Sequence, residues 1–542
     1  MLFNSIEYLL FLPIVFAIYW LLRNHLRLQN LFVVIASYVF YGWWDWRFLL
    51  LIAFTSFCSW GSGILISKSK TRNPESSDDA SLSLDQQTAS EISVLPHEAQ
   101  TIISRQSSAQ SCANTLPDSL QKNTKKYQKI NNAKLWLTAN IVINLAILGV
   151  FKYYDFFVSE FGALFGISTE SLLLRIILPV GISFYTFQAL SYSIDVYRGN
   201  IKPTRDIVAF FAFISFFPQL VAGPIERATN LLPQFLQKRT FSYEQGVDGM
   251  RQILWGLFKK IVIADNCAMY VDQVWATYDT QSGSTLLLAA VLFTFQIYGD
   301  FSGYSDIAIG TAKLFGIKLM RNFNNPYFSR DIAEFWRRWH ISLTSWFRDY
   351  VYIPLGGSRP NVVYSVWCTV ESKKKLIVAR NVMIVFLICG LWHGANWTYL
   401  VWGLYNVLLF LPLILLGKSK RYKDSPLVWK QLPQMLLTFV LVTIGWIIFR
   451  APSMTDAWDV VCNICSGTLW SAPYIFPMQE MLFMATGILV MIGVEWLQRN
   501  ENHGLELDRM NSRVLRYVIY IVLITMILWK GDSGDAFIYF QF

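Results

Sequence analysis

Charge is scarce in this sequence. Of its 542 residues only 15% are Asp, Glu, Lys or Arg, against about 25% in an average soluble domain. Histidine is rarer still, with five in the whole chain. The seven cysteines are odd in number and scattered, mostly inside apolar stretches (Cys58, Cys267, Cys389), so they do not form the framework of a secreted disulfide scaffold. Cys462 and Cys465 make one CxxC, and a lone pair without a second pair or a His partner is no basis for a metal site. A basic leader with a small-residue cleavage site is also missing: the apolar run from Ile6 to Leu22 reads as a first membrane span. These shortages exclude an ordinary soluble enzyme and a disordered chain. What is plentiful is apolar surface. The hydrophobic fraction is 54%, the aromatics comprise 40 Phe, 26 Tyr and 21 Trp, and the mean hydropathy is +0.37. An all-α, polytopic membrane protein follows, with the lipid bilayer as its solvent.

A spanning helix needs about 20 mostly apolar residues. Candidate spans lie near 7–22, 30–45, 47–66, 135–151, 173–193, 206–222, 284–301, 381–393, 397–416, 431–449, 480–496 and 514–529, and 10 to 12 true spans are expected, with some broken, re-entrant or interfacial. The net charge of +10 collects in short clusters between them, as on the cytoplasmic side of helical membrane proteins; it does not indicate a nucleic-acid partner. Arg23 with Arg27, Lys68 with Lys70 and Arg72, Lys122 to Lys134, Lys373–Lys375 with Arg380, Lys418–Lys423, and Arg509 with Arg513 and Arg516 are therefore assigned to the cytoplasm, which places the N-terminus outside. Alternation holds if 223–283 lies outside as a whole. Residues 67–133 break the pattern, with 13 Ser, 7 Gln and no Gly. Such a composition buries too little to offset the entropy of ordering, so a disordered cytoplasmic loop is expected between N-terminal helices at 1–66 and a core at 134–542.

Ionisable groups inside a membrane are costly and usually functional. His25, His97 and His503 fall in connectors, but His340 and His393 sit in aromatic, nearly apolar segments, Phe335-Trp-Arg-Arg-Trp-His340 and Gly390-Leu-Trp-His-Gly-Ala-Asn-Trp397. At 1.5 Å per residue the helix beginning after Arg380 carries His393 roughly 20 Å into a hydrocarbon core of about 30 Å, past the midplane. Gly390 and Gly394 leave room for a ligand beside it. Arg337 and Arg338 flank His340, and Arg348 follows one or two turns on. A third polar stretch, Tyr298-Gly-Asp-Phe-Ser-Gly-Tyr-Ser-Asp306, interrupts an apolar run. Polar backbone at this depth is tolerated only when buried in protein or lining a cavity, so it predicts a helix break. A fourth, Gln219 to Arg227 with its Gly-Pro pair, predicts a helix terminus.

Taken together, these segments resemble the membrane-bound O-acyltransferase family, in particular its alginate O-acetyltransferase-like bacterial branch. Further matching pieces are Leu178-Pro-Val-Gly-Ile-Ser-Phe-Tyr-Thr-Phe-Gln188, Ala222-Gly-Pro-Ile-Glu-Arg227, Tyr352-Ile-Pro-Leu-Gly-Gly357, Gly445-Trp-Ile-Ile-Phe-Arg-Ala451 and Phe537-Ile-Tyr-Phe-Gln-Phe542. The loop 67–133 and the connector from Gly357 to Arg380 look longer than the branch pattern. The resemblance implies a ring of transmembrane helices around a thinned centre, with a tunnel joining the two faces in a bacterial inner membrane. It implies that His393 matches the histidine regarded as catalytic and His340 a second important one.

On that footing His393 is the expected general base toward a hydroxyl attacking acetyl-CoA, which is a substrate rather than a bound cofactor; no metal is expected. Asn396, backbone near Gly394 and Trp392 are expected to stabilise the oxyanion or position the substrate. Arg337, Arg338 and Arg348 are expected to hold the donor's phosphates, and Asp300, Ser302 and Asp306 to line the tunnel. Relatives of this branch are thought to hand the acetyl group to a periplasmic partner acyltransferase that modifies a polysaccharide. The same fold also suits D-alanyl transfer to teichoic acid or peptidoglycan O-acetylation. A transporter built on inverted repeats would show matching breaks in both halves, whereas the polar breaks here cluster between 219 and 397.

Overall fold

The computed structural model describes residues 1–70, 118–221, 223–357, 370–423, 425–475 and 477–530. Among these all the regular structure is helical, with no strand. In chain order the α-helices are α1 (Ile6–Leu21), α2 (Leu26–Gly42), α3 (Arg47–Lys70), α4 (Asp118–Phe165), α5 (Ile182–Arg198), α6 (Ile207–Ser215), α7 (Phe217–Leu220), α8 (Ala228–Phe235), α9 (Tyr243–Leu257), α10 (Asp265–Ala276), α11 (Gly283–Leu314), α12 (Ile332–Arg338), α13 (Ile341–Phe347), α14 (Val370–His393), α15 (Trp397–Leu415), α16 (Leu432–Arg450), α17 (Met454–Ile464), α18 (Met478–Leu497) and α19 (Arg513–Trp529). Two wide-turn π-helical segments, Phe258–Ala264 and Arg348–Gly357, join α9 to α10 and follow α13.

Among the described residues, seven helices are long and apolar enough to cross a membrane: α3, α4 from Asn132, α11, α14 from Lys375, α15, α16 with the turn before it, and α18; α1 and α2 are shorter apolar helices. The chain is thus a multi-pass membrane protein. The expected span at 173–193 is displaced: helix begins only at Ile182, after a non-helical 173–181 segment that is exposed at 174–177 and buried again at Pro179. The expected span at 206–222 is divided into α6 and α7, because Phe216 leaves helical geometry and Pro218 follows in the next turn. The Gly-Pro stretch ends α7 as expected, with α8 starting after Arg227. Of the loop expected at 67–133, residues 67–70 continue α3 and 118–133 begin α4; the stretch 71–117 lies outside the described residues, as do 358–369 of the second long connector and the terminal 537–542.

The helix that organises the core is α11. Of its apolar window 83% is buried, against 17–44% in the other six spanning candidates. The break expected at 295–306 is absent: α11 runs unbroken from Gly283 to Leu314. The reason is that its carboxylates are neutralised by side chains of the neighbouring element. Lys260 bonds Asp300 at 2.8 Å and Asp265 at 2.7 Å, Lys259 bonds Asp306 at 2.6 Å, and Gln252 donates to Asp306 at 2.8 Å. The helices come close enough for this because glycines face each other. A Cβ on Gly256 would stand 2.6 Å from the Gly303 carbonyl, and one on Gly310 would stand 2.5 Å from the Gly249 carbonyl. Small-residue seams of this kind let backbones approach in membranes.

Candidate active site

His393 is the last residue of α14 and is buried. Aromatic rings enclose it: Trp402 and Phe449 both stand edge-on at 5.2 Å, and Trp392 lies at 4.8 Å. His340 comes from the opposite direction, at the junction of α12 and α13, with φ +43°. A left-handed backbone costs a residue with a Cβ roughly 1–2 kcal/mol, so something must hold it. Asn322 does: its carbonyl accepts from Ile341 N–H at 2.8 Å, and its Oδ1 accepts from the Ser342 N–H at 3.3 Å and hydroxyl at 2.9 Å. The same Oδ1 lies 3.0 Å from His340 Nδ1, while Asn322 Nδ2 donates to Ser305 at 3.0 Å. An amide oxygen only accepts, so Nδ1 carries the proton and Nε2 the lone pair. That Nε2 is buried with no hydrogen-bond partner among the described residues.

The two imidazoles meet on one indole. The ring of Trp392 lies 6.0 Å from that of His340 and 4.8 Å from that of His393. A cavity approaches this junction from each side. The first, about 60 Å³, is lined by His393, Trp392, Lys152 and the 178–184 segment that opens α5. The second, about 20 Å³, is lined by Asn322, Ser305, Asp306, Lys259, Arg321 and Glu495, among others. One water needs roughly 10–15 Å³, so the first holds several waters and the second about one. They lie toward opposite faces. Phe449, beside His393, lies in the last turn of α16, whereas Trp429, just before α16, meets Trp496 beside Glu495 at 4.1 Å; twenty helical residues separate those ends by about 30 Å.

Other residues singled out in the sequence have different surroundings from those expected. Asn396 caps α15: its Oδ1 accepts from Thr398 N–H at 3.0 Å and its Nδ2 donates to the Pro452 carbonyl at 2.9 Å. Neither end of the amide turns to the His393 cavity, because the chain reverses there and α15 needs an N-cap. The closeness that Gly390 and Gly394 allow is between helices: a Cβ would meet the Tyr399 carbonyl at 2.3 Å and the Tyr399 ring at 2.1 Å, respectively. Arg337 donates to the Ser419 carbonyl at 2.8 Å, Arg338 pairs with Glu334 at 2.9 Å, and the exposed Arg348 pairs with Asp349 at 2.7 Å. Burial would raise the Glu334 carboxyl, but hydrogen bonds from Arg330 and the charge of Arg338 hold it below its usual range. Asp300 and Ser302 are buried inside the α11 core, and of the three tunnel candidates only Asp306 reaches a cavity.

Four participants were not read from the sequence. Asn322 stands eighteen residues before the histidine it supports; an asparagine-rich connector gives no sign of that partner. Lys259 and Lys260 lie beside each other in the π-helical segment after α9, and only the tertiary pairing shows that they face α11. Lys152 had a visible signal, as a single lysine between Phe151 and Tyr153 in an apolar run. Its ammonium donates to the carbonyls of Trp392 at 2.6 Å and His393 at 2.9 Å.

Residues 202–446, which contain both histidines, match the model of the membrane-bound O-acyltransferase family. A probable alginate O-acetylase of Azotobacter vinelandii is 35% identical over 475 residues, covering 87% of this chain and 79% of that protein. The chain belongs to the membrane-bound O-acyltransferase family. A second probable alginate O-acetylase, from Pseudomonas putida, is 32% identical over 568 aligned positions and covers all of both chains. A peptidoglycan O-acetyltransferase of Helicobacter pylori is 32% identical over 456 residues, 76% of this chain and 82% of that protein. The protein is accordingly a membrane O-acyltransferase, and the paired histidines lie within the part that defines the family.

Proposed function

We propose that this O-acyltransferase moves an acetyl group from cytoplasmic acetyl-CoA, across a bacterial inner membrane, toward the O-acetylation of an extracytoplasmic polysaccharide of the alginate kind, handing it to a periplasmic partner that modifies the polymer. The observation that carries this reading is the meeting of His340 and His393 on Trp392, between cavities directed to opposite faces. Donor and acceptor reach such a junction from different compartments, and the names of the Azotobacter and Pseudomonas relatives supply the class of group and polymer. Basic clusters at the α3 and α15 ends support a cytoplasmic second cavity and an N-terminus outside.

In this reading His393 removes the proton from the acceptor hydroxyl as its oxygen attacks the acetyl carbonyl. Collapse of the tetrahedral adduct breaks the C–S bond, and the imidazolium returns the proton to the CoA thiolate. His340, held by Asn322 with Nε2 unprotonated, positions the donor. Positioned proton transfer contributes roughly 10²–10⁴-fold. In proteoliposomes supplied with acetyl-CoA and acceptor, His393→Ala is expected to lower acetyl transfer by that factor while remaining monodisperse in detergent; turnover equal to wild type would sink the assignment. Deletion of the gene is expected to remove O-acetyl groups from the exported polysaccharide. Loss from peptidoglycan alone would instead favour the chemistry named for the Helicobacter relative.

A further inference from the structure

The last turn of α14 ends on three backbone carbonyls that have no partner within their own helix. The neighbouring α4 supplies partners for all three. Tyr153 donates its hydroxyl to the Leu391 carbonyl at 2.7 Å, and Lys152 donates to those of Trp392 and His393. Tyr153 shows that a neutral hydroxyl is sufficient for this work. A lysine in the same turn is a far costlier choice, since a cation inside a bilayer carries a penalty of several kcal/mol. Two of its three N–H groups are used on carbonyls, and no carboxylate pairs with it among the described residues.

The cavity that Lys152 shares with His393 is built for negative charge. None of the residues lining it is Asp or Glu. Trp392 lines it too, and its buried indole N–H has no acceptor among the described residues. Residues 181–183, which open α5 without a side-chain cap, contribute the positive end of a 17-residue helix to the same wall. Asn396, the side chain otherwise suited to this purpose, is fully engaged elsewhere.

We propose that Lys152 is a catalytic residue: its third N–H, with the Trp392 indole N–H, binds the oxyanion formed when the acceptor hydroxyl adds to the acyl carbonyl. This rests on the reading of His393 as base. The hydroxyl proton passes to the imidazole, a C–O bond forms, and the carbonyl π pair moves onto oxygen. Lys152 and Trp392 stabilise that oxygen until the pair returns and the C–S bond breaks. Removing such a donor typically costs about 10²–10³-fold in kcat.

The test uses the full chain in proteoliposomes with acetyl-CoA and acceptor. Lys152→Met is expected to lower kcat by about 100-fold or more with the KM for acetyl-CoA within about threefold, and Lys152→Arg to recover at least tenfold of the loss. Lys152→Gln keeps a donor for the carbonyls but no charge. It is expected to melt near wild type and to be as inactive as the Met variant, which separates charge from capping if Lys152→Met folds poorly. A kcat within threefold of wild type in Lys152→Gln overturns the proposal, and so does a loss that Lys152→Arg does not restore. If wild type itself transfers nothing from acetyl-CoA, or if His393→Ala is fully active, the underlying reading fails instead. A failure confined to the Lys152 variants leaves that reading standing.

Discussion

Two sets of buried lysines in this molecule are treated in opposite ways. Lys259 and Lys260 lie against three carboxylates at 2.6–2.8 Å, with side chains only 2–3% exposed. Lys152, among the described residues, meets only carbonyls and the face of an indole. The first set has the arrangement expected of a charge that holds helices together: every cation is matched, and even Lys259, which lines the second cavity, reaches it already paired with Asp306. The second is held in place by dipoles alone, so its field extends into the space beside His393. The difference teaches that burial does not mark function by itself. A buried charge left without a countercharge, beside a cavity, does so far better.

The comparison makes sharp demands on stability. The largest loss is expected for Lys260→Met, which strands Asp265 and Asp300 in the core without their cation. Breaking one side of a buried ion pair typically costs about 3–5 kcal/mol, to be read as a large drop in Tm of the detergent-solubilised protein. Neutralising the whole cluster, with Lys260→Met, Asp265→Asn and Asp300→Asn together, is expected to recover most of this and end within about 2 kcal/mol of wild type. Stability equal to that of the single variant would show that the lysine's packing matters more than its charge. The smallest effect is expected for Lys152→Met, below about 2 kcal/mol: it forfeits hydrogen bonds to two carbonyls but also removes an uncompensated charge. A thermal loss as large as that of Lys260→Met would place both lysines in the same structural class and dissolve the contrast.

Much of this was legible in the sequence. Scarcity of charge made His340 and His393 conspicuous, the helical membrane architecture followed from apolar runs, and the family followed from the motifs around both histidines. The break read into Tyr298–Asp306 was not there, because polar composition is the same whether a helix opens onto water or turns its carboxylates to lysines on another helix. Only the tertiary pairing decides. Asn396 illustrates a different loss. The order Gly-Ala-Asn-Trp-Thr is a fair N-cap signal before an apolar helix, and three residues from His393 the same amide is spent on the cap and on the Pro452 carbonyl. The supporting roles of Asn322 and Lys152 depend on contacts eighteen and some 240 residues away, which no local pattern encodes.

One consequence of the indole between the histidines concerns electricity rather than chemistry. The two cavities have no lining residue in common, and around His393 stand Trp392, Trp402 and Phe449, with Trp446 stacked on Trp402. Rings in contact at 4.8–5.9 Å admit no file of water between them. Such packing insulates: an ion gradient stored across the membrane finds no wet path between these rings.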